Sequence, residues 1–450
     1  MKNYKILRIY TATPYQKIFS QFYVDNNLDT LTYEQAVREL CKNGYIIPGR
    51  WVDYMRKLGN DAIDVVPDLF PLQKKWADEN GIAMDASWQK SLLYKQIEKV
   101  KPDVVFFYAG GWTLMPVEVR RELKSRYPFI KVITGLWGDP LPPNENYSKF
   151  LDVDVLFCAY EHNIRSAGEL GIRSVLLGNC FDAAFADLLS QEKSQPKHDF
   201  IFAGSSGYGF PDHVNRYTGI IQLIKETDLK IWCYEPTINK KYIARDFIRD
   251  SLTNTISKLP KSWLDQLANT FKNPNYFTKQ LDKWVNNILG SKYENRTLRL
   301  IQEASKSPEE RYGRYKWDLS RKPIKKLFPN QCFAPLFGID YFKLLRDSKI
   351  VFNRHSGEAL HAGNIRMYEV TGMGSCLITD NPNECKRLYK LDEEIVTYTS
   401  IDECVEKVKY LLQNEEKRKE IAEKGRKRTL KDHCLTNRCA VIHESLQSLL

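Results

Sequence analysis

The sequence predicts an α/β protein with two parallel, doubly wound domains and a helical insertion in the second domain. Short apolar segments alternate with amphipathic ones, and a polar stretch near residue 190 separates two such series. Apolar strands that alternate with helices are typical of parallel sheets covered on both faces. A chain of 450 residues also exceeds what one hydrophobic core usually serves, so two domains are expected.

The first 190 residues carry the pattern of an N-terminal Rossmann-like domain. Six apolar segments predict strands at Ile6–Tyr10, Ala62–Val66, Val104–Tyr108, Lys131–Thr134, Val155–Cys158 and Ser174–Leu177. Amphipathic segments predict helices at Tyr33–Lys42, Trp88–Lys99, Pro116–Arg126 and Asn163–Leu170. Gly44, Gly81 and Gly171 stand where helix C-terminal caps are expected.

The polar segment Ser190–His198 predicts an interdomain linker. The strand pattern then restarts, with apolar segments at Phe200–Ala203, Lys230–Cys233, Ile350–Phe352 and Ser375–Asp380. We therefore predict a second Rossmann-like domain over residues 199–450 that ends with a helix at Asn437–Leu449. The pattern pauses over residues 240–330, which predicts an insertion within this domain.

Composition excludes several classes of protein. Apolar residues make up 43% of the chain and aromatic residues 12%, which suits packed cores and argues against wholesale disorder. No run of about 18 apolar residues predicts a membrane span, and the N-terminus lacks the apolar core of a signal peptide. The ten cysteines lack paired spacing. We expect a cytoplasmic protein with reduced thiols.

The net charge of +11 is concentrated in the insertion. Residues 240–330 contain 20 Lys and Arg residues against nine Asp and Glu residues, with Trp263, Phe277 and Trp284 among them. Such a surface suits the anionic inner face of a membrane or a glycan, whereas nucleic acid is not the expected partner. A helical cap that packs its aromatic residues inward is the alternative interpretation.

A candidate anion pocket follows the strand Ile350–Phe352. A helix that begins at Gly363 or Asn364 would direct unpaired N–H groups and its positive dipole end towards the sheet edge, where a diphosphate is readily held. Arg366 can add a bidentate contact to phosphate oxygens. Glu369, three residues further on, can accept two hydrogen bonds from ribose hydroxyls.

Two other groups are predicted at the same sheet edge. Gly204 and Ser205 form a glycine-rich turn whose amides could cradle phosphate, with Arg216 approaching from the next helix. Arg354 and His355 follow a strand and could neutralise a leaving diphosphate. An ordinary structural turn and ordinary loop polarity are the respective alternatives.

The C-terminal residues carry a resemblance to a known family. The matching positions are Asn364, Arg366, Tyr368, Glu369, Gly372, Gly374 and Leu377–Asp380, followed by Glu415–Arg418, Ile421–Ala422, Gly425–Arg426 and His433–Arg438. This run resembles the C-terminal domain of group 1 (family 4-like) glycosyltransferases, particularly the branch of the spore-maturation CgeB proteins. The resemblance covers about the last hundred residues well and residues 200–216 moderately.

The resemblance implies the GT-B fold, in which two Rossmann-like domains face a cleft. It also implies transfer of a sugar from a nucleotide-diphosphate sugar to a hydroxyl of a glycan or glycolipid. No cofactor and no divalent metal are expected, because a helix dipole and cationic side chains can stabilise the departing diphosphate. A nucleotide-sugar epimerase of the same fold, or a non-catalytic glycan- or surface-binding protein with a degenerate donor pocket, are the alternatives.

The catalytic candidates on the acceptor side are Tyr108, Asp139 and His162. Tyr108 stands where group 1 members often place a histidine; a tyrosine is a poor base but can orient a sugar hydroxyl. His361 occupies a position where many of these enzymes have a second glutamate. Asp139 and His162 each follow a predicted strand. A structural role is the alternative for each of the three candidates.

Two groups that suggest metal ligands are predicted to be structural. Asp152 and Asp154 have the spacing of a metal-binding Asp-x-Asp motif, but they precede a strand instead of ending one. His433, Cys434, Cys439 and His443 cluster on one helical stretch without the paired cysteine spacing of a zinc site. We therefore predict no metal site.

Overall fold

The fold was analysed in a computed structural model, which describes residues 3–108, 110–138, 147–191, 195–210, 213–235, 248–249, 251–272, 275–289, 296–305, 321–355, 362–380 and 382–450. Within these residues, twelve strands form two six-stranded sheets in which neighbouring strands are parallel. The predicted doubly wound α/β class is therefore confirmed.

The first sheet has the strand order β2-β1-β3-β4-β5-β6. Its strands are β1 Lys5–Ile9, β2 Asp61–Val65, β3 Val104–Phe107, β4 Val132–Trp137, β5 Val155–Cys158 and β6 Ser174–Leu176. Strand β4 runs three residues beyond the predicted end, because Gly135, Leu136 and Trp137 continue the pairing with β5. Strand β2 lies on one side of β1, and the later strands β3 to β6 are added on the other side.

Ten helices precede the second sheet among the described residues; the last of them packs on the second sheet, because Phe185 and Leu189 share a buried cluster with Ile201 and Val351. They are α1 Gln16–Asp25, α2 Tyr33–Lys42, α3 Trp51–Lys57, α4 Phe70–Glu79, α5 Trp88–Val100, α6 Gly111–Leu114, α7 Val117–Arg121, α8 Leu123–Arg126, α9 Glu161–Glu169 and α10 Ala183–Ser190. Helix α2 begins at its predicted residue because Thr32 and Gln35 form a capping box. The single helix predicted at Pro116–Arg126 is observed as the two segments α7 and α8.

The second sheet has the order β12-β11-β10-β7-β8-β9. Its strands are β7 His198–Ser205, β8 Lys230–Tyr234, β9 Cys332–Phe333, β10 Ser348–Asn353, β11 Cys376–Thr379 and β12 Val396–Thr397. If β7 is counted as the first strand of this domain, the order read from the β9 edge is the Rossmann order 3-2-1-4-5-6. The strands that follow β7 in sequence are first added on one side of it and then, from β10 onwards, on the other side. A ligand crevice is expected at the carboxyl ends of these two strands.

The helices after residue 200 comprise those of the second sheet domain, those of the insertion and the C-terminal helix. They are α11 Val214–Glu226, α12 Lys261–Lys272, α13 Tyr276–Leu289, α14 Arg296–Ala304, α15 Ile324–Leu327, α16 Gly338–Arg346, α17 Ile365–Met373, α18 Pro382–Cys385, α19 Ile401–Gln413, α20 Glu415–Asp432 and α21 Leu435–Gln447. None of the described helices is both long enough and apolar enough to cross a lipid bilayer.

The final helix packs on the first sheet, although it follows the second sheet in sequence. Leu435, Cys439 and Ile442 of α21 share a buried cluster with Ile6 and Phe106 of the first sheet. The predicted helix at this position is therefore observed, and it covers the opposite domain from the strands that precede it.

Candidate functional site

The predicted donor residues come together at the carboxyl edge of the second sheet. Gly204 and Ser205 end β7, and Arg354 and His355 follow β10. Helix α17 begins at Ile365, between β10 and β11 in sequence. These segments border the change of strand order between β7 and β10, which is the position where α/β sheets bind ligands.

Arg366 lies against the backbone of the glycine-rich turn. Gly204 has φ +148°, and a Cβ atom at this position would lie 2.7 Å from Nη2 of Arg366. The guanidinium carbon is also 5.5 Å from the centre of the Phe202 ring. Arg366 Nε is buried and has no hydrogen-bond partner within the described structure. The missing side chain of Gly204 therefore makes the space that the Arg366 guanidinium occupies.

Glu369 is held almost entirely out of water, with a relative exposure of 5%. The Tyr341 hydroxyl donates a 2.7 Å hydrogen bond to its Oε2 atom. Burial raises the pKa of Glu369, while the Tyr341 hydrogen bond and the Arg366 charge oppose the shift. A buried carboxylate that accepts one side-chain hydrogen bond among the described residues is suited to bind hydroxyl groups. Sequence reasoning missed Tyr341, because nothing near it in sequence marks it as a partner of Glu369.

Three arginine residues converge at this sheet edge. Arg216 Nη2 donates a 2.9 Å hydrogen bond to the carbonyl oxygen of Arg354. Burial, together with repulsion from Arg366, lowers the pKa of Arg216 to about 10; Asp380 opposes this shift and Arg354 adds to it. Positive groups that disfavour one another in this way make a site for an anion, since a bound anion would relieve the repulsion.

The strand ends and the start of α17 are fixed by a polar network. Asn364 caps α17 through its side chain, which accepts from Met367 N, and donates a 3.1 Å hydrogen bond to Asn353 Oδ1. His355 Nδ1 lies 2.7 Å from Asp380 Oδ1, and its main-chain N–H donates to the same oxygen at 3.0 Å. His355 is buried. The position of His355 beside the arginine groups is thereby fixed, while its Nε2 atom is buried without a hydrogen-bond partner among the described residues; its role at a diphosphate stays a prediction.

The acceptor-side candidates lie in the first domain. Tyr108 directly follows β3, and its ring stacks on Tyr10 with a centroid distance of 5.9 Å. His162 lies in the first turn of α9, with its ring 5.9 Å from that of Tyr160. Asp139 and His361 fall outside the described residues.

A small cavity lies between the domains. Its walls include Trp51, Phe106 and Tyr108 from the first domain and Ile365, the first residue of α17. The predicted donor helix and the candidate Tyr108 therefore border one space, which is lined mainly by apolar side chains.

A short hydrogen-bonded chain joins the two domains beside this cavity. Arg438 of α21 donates to the carbonyl oxygen of Asn179 at 3.0 Å, and Asn179 Nδ2 donates to the carbonyl oxygen of Gly363 at 2.8 Å. Gly363 has φ +106°, a conformation that favours glycine. The loop before α17 is thus anchored to the first domain.

The two groups predicted to be structural have structural partners. Asp152 forms a buried ion pair with Arg120, with Nε–Oδ2 and Nη2–Oδ1 distances of 2.7 Å. Asp154 accepts from Lys124 and from the N–H of Ile133. His433 Nε2 lies 3.2 Å from the carbonyl oxygen of Leu388, and His443 Nδ1 lies 2.9 Å from Asn60 Nδ2.

Comparison with known proteins bears on the second domain and on the fold. Residues 278–444, which include Arg354, Arg366 and Glu369, match a family model described as glycosyl transferase-like. No curated protein sequence matches the chain. The assignment to the CgeB branch stays a prediction.

Several solved structures are similar over almost the whole chain. Anabaena HepE in complex with UDP and glucose has a TM-score of 0.51 at 10% identity, over 99% of this chain and 100% of that chain. Its complex with UDP-glucose gives the same values. Sucrose-phosphate synthase from Thermosynechococcus elongatus has a TM-score of 0.50 at 6% identity, over 99% of both chains. These similarities confirm the predicted GT-B fold.

Proposed function

We propose that the protein transfers a sugar from a nucleotide-diphosphate sugar to a hydroxyl group of a glycan or glycolipid. The observation that carries the proposal is the pairing, at one sheet edge, of three arginine groups with the buried Glu369 on α17. The glycosyl transferase-like match over residues 278–444 and the UDP and UDP-glucose complexes of HepE support it.

In this proposal the diphosphate binds at the start of α17. The N–H groups of Ile365 and Arg366 have no partner within the helix, and the helix dipole is positive there. Arg366 and Arg216 bind the phosphate oxygens, and the glycine-rich turn at Gly204 and Ser205 supplies further amides. Glu369 accepts hydrogen bonds from the ribose hydroxyls.

Transfer forms a bond between the acceptor oxygen and the anomeric carbon and breaks the bond from that carbon to a diphosphate oxygen, and the proton of the acceptor hydroxyl passes to the leaving diphosphate. The negative charge that grows on the leaving diphosphate is stabilised by Arg366, Arg216 and the end of α17. This arrangement supports catalysis without a divalent metal at the diphosphate. The acceptor enters from the first domain, where Tyr108 borders the interdomain cavity and can orient a hydroxyl.

A thermal-shift screen tests the donor site. The purified protein is heated with UDP, GDP, dTDP and CMP sugars, in parallel with EDTA and with Mg²⁺. A ligand that binds the native state raises the melting temperature by mass action. We expect one nucleotide to stabilise the protein equally in both buffers. The effect should be lost in Glu369→Ala and kept in Glu393→Ala, which removes an exposed carboxylate elsewhere.

A product assay then separates the three candidate functions. A transferase cleaves the identified donor, or transfers its sugar to an added acceptor with a gain of one sugar mass. An epimerase converts the donor to an isomer of the same mass, and a binding protein leaves it unchanged. No stabilisation by any nucleotide sugar in the screen would contradict the proposal.

For the acceptor, we propose that the insertion contacts an anionic membrane in which a lipid-linked acceptor resides. Four of its aromatic residues are well exposed, namely Tyr276 at 80%, Phe277 at 73%, Trp263 at 59% and Trp284 at 57%. Phe277 and Trp284 are seven residues apart on α13 and thus share one face. Exposed lysines accompany them at Lys261, Lys279 and Lys283. Aromatic rings beside lysines suit an anionic lipid surface.

Vesicle flotation tests this contact. We expect the protein to bind vesicles of phosphatidylglycerol and phosphatidylcholine more strongly than phosphatidylcholine alone, and less strongly at high salt. Binding should drop several-fold in a Trp263→Ser, Phe277→Ser, Trp284→Ser variant. Tyr410→Ser, which removes an exposed aromatic ring from α19, serves as the control. Equal binding by the triple variant and the wild type would refute a role for these rings.

A further inference from the structure

Cys233, Glu235 and Cys332 form a compact group at the base of the insertion. The sulfur atoms of Cys233 and Cys332 are 3.3 Å apart, and a carboxylate oxygen of Glu235 lies within 4.8 Å of both. The two cysteines are 99 positions apart in sequence and lie on the neighbouring strands β8 and β9. Both thiols are buried, and Glu235 is partly buried.

The spacing of the sulfur atoms is close to that of a metal-bound pair. A disulfide requires about 2.05 Å between sulfur atoms, well short of what is observed. Two thiolates on a tetrahedral zinc ion, each at about 2.3 Å from the metal, are roughly 3.7 Å apart. A shift of a few tenths of an ångström would therefore bring both sulfurs to bonding distance of one ion.

The chemistry of the three groups also favours a bound metal ion. The carboxylate of Glu235 and the two thiols place three potential metal-ligand atoms close together. A divalent ion would displace the thiol protons and pair with all three groups at once.

We propose that Cys233, Cys332 and Glu235 bind one zinc ion, with water in the fourth position. Two thiolates and a carboxylate are ligands that zinc accepts in tetrahedral geometry, and sulfur ligands disfavour magnesium and calcium. This site is separate from the residues that we assign to the donor, and it does not depend on the proposed transferase activity.

The surroundings of Glu235 give the ion a structural consequence. Its Oε1 atom accepts from Ser206 Oγ at 2.9 Å and from the N–H of Ile324 at 2.7 Å. Ser206 belongs to the glycine-rich turn, and Ile324 begins α15 where the chain returns from the insertion. A bound zinc ion would therefore connect the turn beside the donor site with both ends of the insertion, in the way that outer hydrogen bonds orient metal ligands.

Zinc content is the first test. The full-length protein, produced with zinc in the medium and purified under non-thiol reductant, should contain about one zinc ion per chain by mass spectrometry of the metal. Cys233→Ser and Cys332→Ser should lose it. Cys158→Ser, which alters an equally buried cysteine in the first sheet, should retain it. A chelator should lower the melting temperature of the wild type and leave that of the two zinc-free variants unchanged.

Cobalt substitution tests the ligand set. Co²⁺ in the wild type should show thiolate-to-cobalt charge-transfer absorption and the visible bands of a tetrahedral site, and Glu235→Gln should shift these bands and weaken binding several-fold. A wild-type protein that contains no zinc would overturn the proposal, whether its two thiols are free or joined in a disulfide that lowers the intact mass by two hydrogens. Zinc content that is unaffected by both cysteine variants would overturn it as well.

Discussion

Glu369 shows how burial controls a single functional residue. Burial raises its pKa above the usual value, because the carboxylate loses water that the Tyr341 hydroxyl and the Arg366 charge replace only in part. The native state therefore holds this proton more tightly than the unfolded chain does. The protonated Glu369 side chain therefore contributes to the free energy of unfolding at pH values below its pKa in the unfolded chain. This contribution is lost as pH rises through its pKa in the native state.

This titration predicts how donor affinity depends on pH. The ionised carboxylate is the better acceptor for ribose hydroxyls, so affinity for the identified nucleotide should rise with pH as Glu369 ionises. Because the pKa of Glu369 is raised, this rise should occur at a higher pH than the ionisation of an exposed glutamate. Glu369→Gln should remove this part of the dependence and weaken binding roughly ten- to a hundred-fold near neutral pH. Calorimetric titration across the acidic range measures both effects.

The matched control for this titration is Glu393→Gln, which changes an exposed glutamate. It should follow the wild type, including the titration of the nucleotide phosphates themselves. An identical pH dependence in the wild type and in Glu369→Gln would show that Glu369 does not titrate in the binding step.

At the scale of elements, the site depends on the close approach of α17 to the end of β7. The Asn364 cap sets the start of α17, and the guanidinium of Arg366 then lies in the space beside Gly204. No side chain other than hydrogen fits there without displacing Arg366, and the φ of +148° is itself unfavourable for other residues.

Gly204→Ala should therefore weaken donor binding while the protein still folds. We expect a loss of about ten-fold or more in affinity, because Arg366 is displaced from the phosphate position, and a stability loss of about 1–3 kcal/mol from backbone strain. Calorimetry and thermal unfolding measure the two effects. Gly168→Ala is the control, since a Cβ there meets no atom within 4 Å; unaltered affinity in Gly204→Ala would contradict the placement of Arg366.

At the scale of the whole molecule, the two domains are bound together by the last helix. Ile442 and Leu446 of α21 are buried against the first sheet, in the same cluster as Phe106. Polar contacts between the domains add to this packing. They are the ion pair between Glu161 and Arg387 and the hydrogen bonds that link Arg438, Asn179 and Gly363. The polypeptide thus returns from the second domain to cover an apolar face that the first domain leaves open.

The first domain should consequently be unstable without α21. Residues 1–180 alone, without α10, should be poorly soluble or should unfold at a much lower temperature than the full chain, because the apolar face under α21 meets water. Fusing residues 433–450 through a flexible linker should restore cooperative unfolding. The same fusion with Ile442→Asp should not, and a fully stable 1–180 fragment would refute the prediction.

The parts of this protein that sequence reasoning recovered are those with local signals. Apolar segments predicted β1 and β5 to within a residue, since strands buried on both faces are mostly apolar. The start of α17 at Asn364 was predictable because the cap and first turn of a helix are encoded within a few residues; the roles of Arg366 and Glu369 stay predictions. The charge of the insertion was visible for the same reason.

Other features arise only from the order of the strands and the packing of the helices. Tyr341 reaches Glu369, Arg216 reaches Arg354, and Cys233 reaches Cys332, across separations of 28, 138 and 99 positions. The packing of α21 on the first sheet is of the same kind. A periodic pattern in the sequence indicates which face of a helix or strand is apolar, but it does not indicate which distant element covers that face. The covering element is determined by the free energy of the whole fold.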